Sequence, residues 1–153
     1  MPIYLVRHGQ AQTDANDQAR SLTEEGKLAV HGMAQLTAAF AIPVAEILHS
    51  GKTRARETAE IMAHYLKPSS GIKEIKGFNP QDDVSHIATG IDPSTNTMLV
   101  GHLPFLESLV SYLLTGIRHK TIVRFQTGGI VCLDKAPAEN SWYIKWALMP
   151  EMK

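Results

Sequence analysis

The 153-residue chain carries 15 Lys plus Arg against 15 Asp plus Glu. It therefore has no global basic field to gather nucleic acid or an anionic membrane, and any attraction for an anion must be local. With 44% hydrophobic and 20% charged residues, it has the balance of an ordinary soluble globular chain, long enough for one domain over 1–153 with a real core.

Met1-Pro2 passes directly into an apolar run with no signal-peptide pattern, and no stretch approaches membrane-spanning length. The expected location is cytoplasmic by default, with no membrane and no nucleic-acid partner. Cys132, the one cysteine, lies inside Gly129-Ile130-Val131-Cys132-Leu133 and reads as a small core hydrophobe.

Ile3-Tyr4-Leu5-Val6 reads as a buried strand that stops abruptly at Arg7-His8-Gly9. Gly9 suits a turn there because it has no Cβ to clash. Gln10 to Ser21 is polar and reads as a loop beside His8. Thr23 caps a helix whose first turn carries Glu24 and Glu25, and Ala29, Met33, Leu36 and Phe40 follow as its predicted apolar face.

Glu46 to His49 is a short second strand closed by Ser50-Gly51, and Thr53 to Leu66 repeats the helical spacing with Ala55, Ala59, Met62 and Leu66. Ile72 to Ile75 reads as a strand, Asp83 to Ala88 as a short helix, and Thr97 to Val100 as a buried strand closed by Gly101-His102. Pro104 suits the start of the helix through Leu106, Leu109, Val110 and Leu113.

Thr121 to Phe125, Gly129 to Asp134 and Trp142 to Ala147 are strand-like runs with no helical spacer, which predicts antiparallel hairpins. Alternating strands and helices followed by hairpins predict an α/β protein. Its architecture is a three-layer α/β/α sandwich with a mixed, mostly parallel sheet and a C-terminal antiparallel hairpin region.

Three strands that precede helices end in polar residues: Arg7-His8, Ser50 ahead of Arg54, and His102. As parallel neighbours they deliver these groups to one sheet edge, the place where open α/β sheets bind ligands. Arg7 and Arg54 supply two guanidinium forks for phosphate oxygens, and the start of the second helix adds free amides. Guanidinium charges oppose a bound cation, and no Cys or carboxylate pair completes a coordination shell, so no metal and no cofactor are expected. The same charges favour neutral imidazole, which makes His8 a nucleophile toward phosphorus, with Arg7, Arg54 and a protonated His102 stabilising the oxygens. Gly51-Lys52-Thr53 imitates the end of a P-loop, but Glu46 stands where its first glycine belongs.

These residues resemble the histidine phosphatase superfamily, which has the phosphoglycerate mutase-like fold. Arg7-His8-Gly9 looks like its signature, Leu22-Thr23 with Gly26 like its first helix entry, Ser50 through Arg54 to Thr58 like its S-x-x-x-R-x-x-x-T element, and Gly101-His102 like its second histidine. The resemblance implies that His8 is the phosphorylated nucleophile and that Arg7, Arg54 and His102 bind phosphate.

Gln10-Ala11, His102-Leu103-Pro104, the short chain, and Pro80 followed by Asp83 look most like the SixA-type phosphohistidine phosphatases. That likeness implies a phosphorylated histidine-containing protein of a phosphorelay as substrate. The glutamate acid of mutase-like members is not reproduced, and Asp83, with Asp82 beside it, is the nearest candidate acid; either could equally cap a helix. The alternatives are a phosphatase or mutase for a small phosphorylated metabolite, and a phosphohistidine-binding module with little turnover.

Overall fold

The computed structural model describes residues 1–152. In chain order the elements are β1 (Ile3–Arg7), a 3-10 turn (Asp17–Ala19), α1 (Glu24–Ala39), β2 (Glu46–His49), α2 (Thr53–Leu66), β3 (Ile72–Glu74), α3 (Val84–Gly90), β4 (Thr97–Gly101), α4 (Phe105–Thr115), β5 (Ile130–Ala136) and β6 (Ser141–Leu148). The strands form one six-stranded sheet in the order β3-β2-β4-β1-β5-β6. The β3, β2, β4 and β1 strands are parallel, and β5 and β6 add to β1 in antiparallel pairing. This is the expected mixed α/β/α sandwich.

β1 is buried on both faces, as a central strand must be. Tyr4 and Val6 pack with Val30, Met33, Ala55, Ala59 and Met62 of α1 and α2. Ile3 and Leu5 face the other side, toward Val84, Leu106, Leu109 and Val110 of α3 and α4. Among the described residues no helix is long and apolar enough to cross a membrane.

Helix α1 begins where expected, with Thr23 Oγ1 accepting the Gly26 N–H at 2.9 Å. Its buried face differs from the predicted one. Gly26, Val30, Met33, Ala34 and Thr37 face inward, whereas Leu36 is 41% and Phe40 74% exposed. A glycine and a threonine carry the inner stripe for specific reasons. A Cβ on Gly26 would stand 2.2 Å from the Gln10 carbonyl oxygen, and Thr37 satisfies its hydroxyl on the Met33 and Ala34 carbonyls. Hydrophobicity ranks both residues below the leucine and phenylalanine that lie outside.

The second departure is Thr121 to Phe125, which joins no strand. Side chains hold it instead. The Lys120 N–H donates to Ser111 Oγ at 3.0 Å, and the Phe125 N–H to Glu107 Oε2 at 2.9 Å. An extended pattern of β-branched residues is compatible with a strand, but sheet membership needs a free edge, and β5 already occupies the edge of β1.

Candidate active site

β4 lies between β2 and β1, all three parallel, with Arg7 in register with Gly101 and His49 with Val100. The carboxyl ends of these strands therefore open at one edge, bringing together Arg7, His8, Ser50 and His102. The His8 N–H donates to the Gly101 carbonyl at 3.0 Å, and the two imidazoles face each other with ring centroids 5.1 Å apart. Arg54 enters from the first turn of α2 and is 3% exposed; His8 is 9% and His102 1% exposed.

Gly9 is required for close approach. A Cβ there would meet Val30 Cγ2 at 2.7 Å and the Gly26 carbonyl oxygen at 3.2 Å. Its N–H donates to Thr58 Oγ1 at 3.0 Å, and that hydroxyl donates to the Arg54 carbonyl at 2.8 Å. Thr58 thus joins the turn after His8 to the turn of α2 that carries Arg54.

His8 Nδ1 lies 2.7 Å from the Gly9 carbonyl oxygen. A carbonyl only accepts, so Nδ1 holds the proton and the lone pair of the neutral ring is on Nε2. Burial, and then the charges of Arg54, Arg7 and Arg20, push the His8 pKa down to about 4, with the Gly9 carbonyl acting in the opposite sense.

His102 Nε2 lies 2.6 Å from Ser50 Oγ, and that oxygen also receives the Lys52 N–H at 3.3 Å. With one lone pair so engaged, the serine hydroxyl is free to donate to Nε2, which places the His102 proton on Nδ1. Burial, then His8, Arg54 and Lys52, push the His102 pKa down to about 3. The ring is therefore neutral before an anion arrives, where the sequence suggested a protonated one.

Both arginines are tied by one end. Arg7 Nη1 donates to the Phe125 carbonyl at 2.8 Å, and Arg54 Nη1 to the Asp17 carbonyl at 2.9 Å. Arg7 Nε, Arg54 Nε and His102 Nδ1 are buried and have no hydrogen-bond partner among the described residues. Each is a donor, and all belong to residues of this one edge. An unpaired buried donor costs about 1–3 kcal/mol, so three together suit a group rich in acceptor oxygens.

Asp17, from the polar loop expected beside His8, and Lys52, which the sequence offered only within the P-loop imitation, complete the rim. Asp17 Oδ2 pairs with Lys52 Nζ at 2.5 Å, and Oδ1 lies 3.4 Å from both Arg54 Nη2 and Arg20 Nη1. The Lys52 contact leads the interactions that hold the Asp17 pKa down at about 2. The position of the Asp-rich loop directly after His8 was the available signal.

Asp83, the candidate acid, is otherwise engaged. It caps α3 by accepting the Ser85 N–H at 2.9 Å and pairs with Arg118 at 3.2 Å. The Ser85 amide, then the Ser85 hydroxyl and Arg118, hold its pKa at about 2. A carboxylate held that low has no proton to give near neutrality. Among the described residues no three His, Cys, Asp or Glu side chains are grouped to hold a metal ion.

Comparison with known proteins gives the family and the fold. The Escherichia coli (strain K12) phosphohistidine phosphatase SixA is 26% identical over 156 residues, covering 98% of this chain and 94% of its own length. A solved structure of the protein histidine phosphatase SixA complexed with tungstate matches with a TM-score of 0.84 at 24% identity, covering 98% of this chain and 97% of that one. The alpha-ribazole phosphatase from Shigella flexneri matches with a TM-score of 0.77 at 13% identity, over 100% of this chain and 98% of that one. The model of the histidine phosphatase superfamily (branch 1) matches residues 3–79. The chain belongs to that superfamily.

Proposed function

We propose that this phosphatase removes phosphate from phosphohistidine on a partner protein, through a phosphohistidine formed on His8. The observation that carries the reading is the set of three buried, unpartnered donors, Arg7 Nε, Arg54 Nε and His102 Nδ1, around an imidazole whose Nε2 lone pair is free.

In the first step the His8 Nε2 lone pair forms a bond to phosphorus while the substrate's P–N bond breaks. The electron pair returns to the leaving ring nitrogen, and that ring departs as neutral imidazole if its other nitrogen is protonated. Arg7, Arg54 and His102 hold the transferring oxygens throughout, which is most of what phosphoryl transfer asks of a protein. Phosphorylated His8 keeps its Nδ1 proton on the Gly9 carbonyl and is therefore a cationic ring. Water then attacks phosphorus, Nε2 leaves with its electron pair as neutral imidazole, and the water proton passes to the departing phosphate. Two guanidinium groups supply the positive charge, so the reaction proceeds without a metal.

The leaving group is an imidazole in both steps, so neither step needs a strong acid. An ester would expel an alkoxide and demand one, and Asp83 is held near pKa 2 as a helix cap. That contrast favours a phosphohistidine over a small phosphoester, as does the likeness to phosphohistidine phosphatase SixA. A free nucleophile speaks against a module that only binds.

The test is a panel of a phosphohistidine protein, phosphoramidate and common phosphate esters, run with wild type and Asp83→Asn. Preference for the phosphohistidine protein, unaffected by the mutation, is expected. Faster turnover of an ester, lost in Asp83→Asn, would restore the metabolite reading, and tight binding of the phosphohistidine protein without phosphate release would indicate a binding module.

A further inference from the structure

Phe125 is held from both sides. Its carbonyl accepts the Arg7 Nη1–H at 2.8 Å, and its N–H donates to Glu107 Oε2 at 2.9 Å. The residue is buried at 4% exposure, yet the segment leading to it has no strand partner. The Glu107 hydrogen bond therefore does locally what a sheet ladder would do elsewhere: it fixes where the Phe125 carbonyl stands. Glu107 projects from α4, the helix that follows His102, so it ties the second histidine's helix to the first arginine.

Glu107 also acts on Arg7 through charge. Burial pushes the Arg7 guanidinium down from its ordinary range, and the Glu107 carboxylate opposes that shift. With Nη1 committed to Phe125, Arg7 keeps Nε buried and unpartnered. The direction of that donor depends on where the carbonyl that anchors the guanidinium stands.

We propose that Glu107 is a positioning residue for phosphate binding, fixing the Phe125 carbonyl so that Arg7 presents its free Nε to the phosphoryl group. The inference rests on the reading of Arg7 as a phosphate ligand. Glu107 itself touches no reacting atom.

The test is a double-mutant cycle read by binding of inorganic phosphate and by kcat and KM, on the full chain. Glu107→Ala in the wild-type background is expected to weaken phosphate binding about tenfold, within the usual range for coupled neighbours, and to raise KM. Glu107→Gln keeps an oxygen acceptor for the Phe125 N–H and is expected to recover affinity to within about threefold of wild type. In an Arg7→Ala background, Glu107→Ala is expected to have no further effect on phosphate binding.

Where Glu107→Ala does not fold, Glu107→Asp takes its place. It keeps the charge but withdraws the oxygen from Phe125, and the same Arg7-dependent loss is expected. Equal losses with and without Arg7, or no loss in either, overturn the proposal and leave the phosphate cradle standing. If Arg7→Ala alone leaves phosphate affinity unchanged, the cradle reading fails and the proposal fails with it.

Discussion

Ser50 Oγ lies 2.6 Å from His102 Nε2, on the side of the ring away from its free Nδ1. One side chain from the end of β2 thereby sets the tautomer of another from the end of β4. Ser50→Ala removes the partner of Nε2, so the proton is no longer confined to Nδ1. The expected outcome is a fall in kcat/KM of about ten- to a hundredfold, by analogy with loss of the partners that orient metal-ligating histidines, with little change in Tm. Steady-state kinetics beside a thermal melt separates the two.

The depressed histidines set the pH behaviour. As the proposed nucleophile His8 has to be neutral, and its pKa is held at about 4, so the acid limb of kcat/KM is expected near pH 4. An ordinary imidazole would place it near 6.5. The acid limb of a pH profile, measured with a substrate that does not titrate there, decides.

Stability follows the same groups with a definite sign. Unfolded His8 and His102 titrate near 6.5, while in the fold they lie at about 4 and about 3. Between these limits the unfolded chain binds more protons, so their contribution is fully present above about pH 6.5 and is lost progressively as pH falls toward 4 and below. Denaturant midpoints measured across this window are expected to drop with falling pH, and the drop is expected to shrink in His102→Asn.

Thr58 is a second joint whose loss can be measured. Thr58→Val keeps the shape but deprives the Gly9 N–H of its acceptor, leaving a buried donor unpaired at a cost of about 1–3 kcal/mol. Urea denaturation is expected to show that loss, accompanied by reduced activity because the same bond holds the turn after His8. Unchanged stability would mean that Gly9 finds another partner.

The site's framework was legible in the sequence because it rests on local rules. An apolar run that stops at Arg7-His8, a strand that stops at Ser50 and another that stops at His102 have their ends at one edge once the strands are parallel neighbours. The supports were not legible. Glu107 and Phe125, like Asp17 and Lys52, meet only through the fold, across 18 and 35 positions of chain. The buried face of α1 was misread because Gly26 and Thr37 are inside for close approach and hydroxyl satisfaction. Periodic hydrophobicity does not register either reason. Asp83 could be read from the sequence as an acid or as a helix cap, and the Ser85 amide and Arg118 around it decide for the cap.

The most direct measurement is isolation of the phosphoenzyme after brief reaction with a radiolabelled phosphohistidine protein. Label on the wild-type chain that survives alkali and is released by acid, and that is absent from His8→Ala, is the expected result. Label that persists in His8→Ala, or that survives acid, would contradict His8 as the nucleophile.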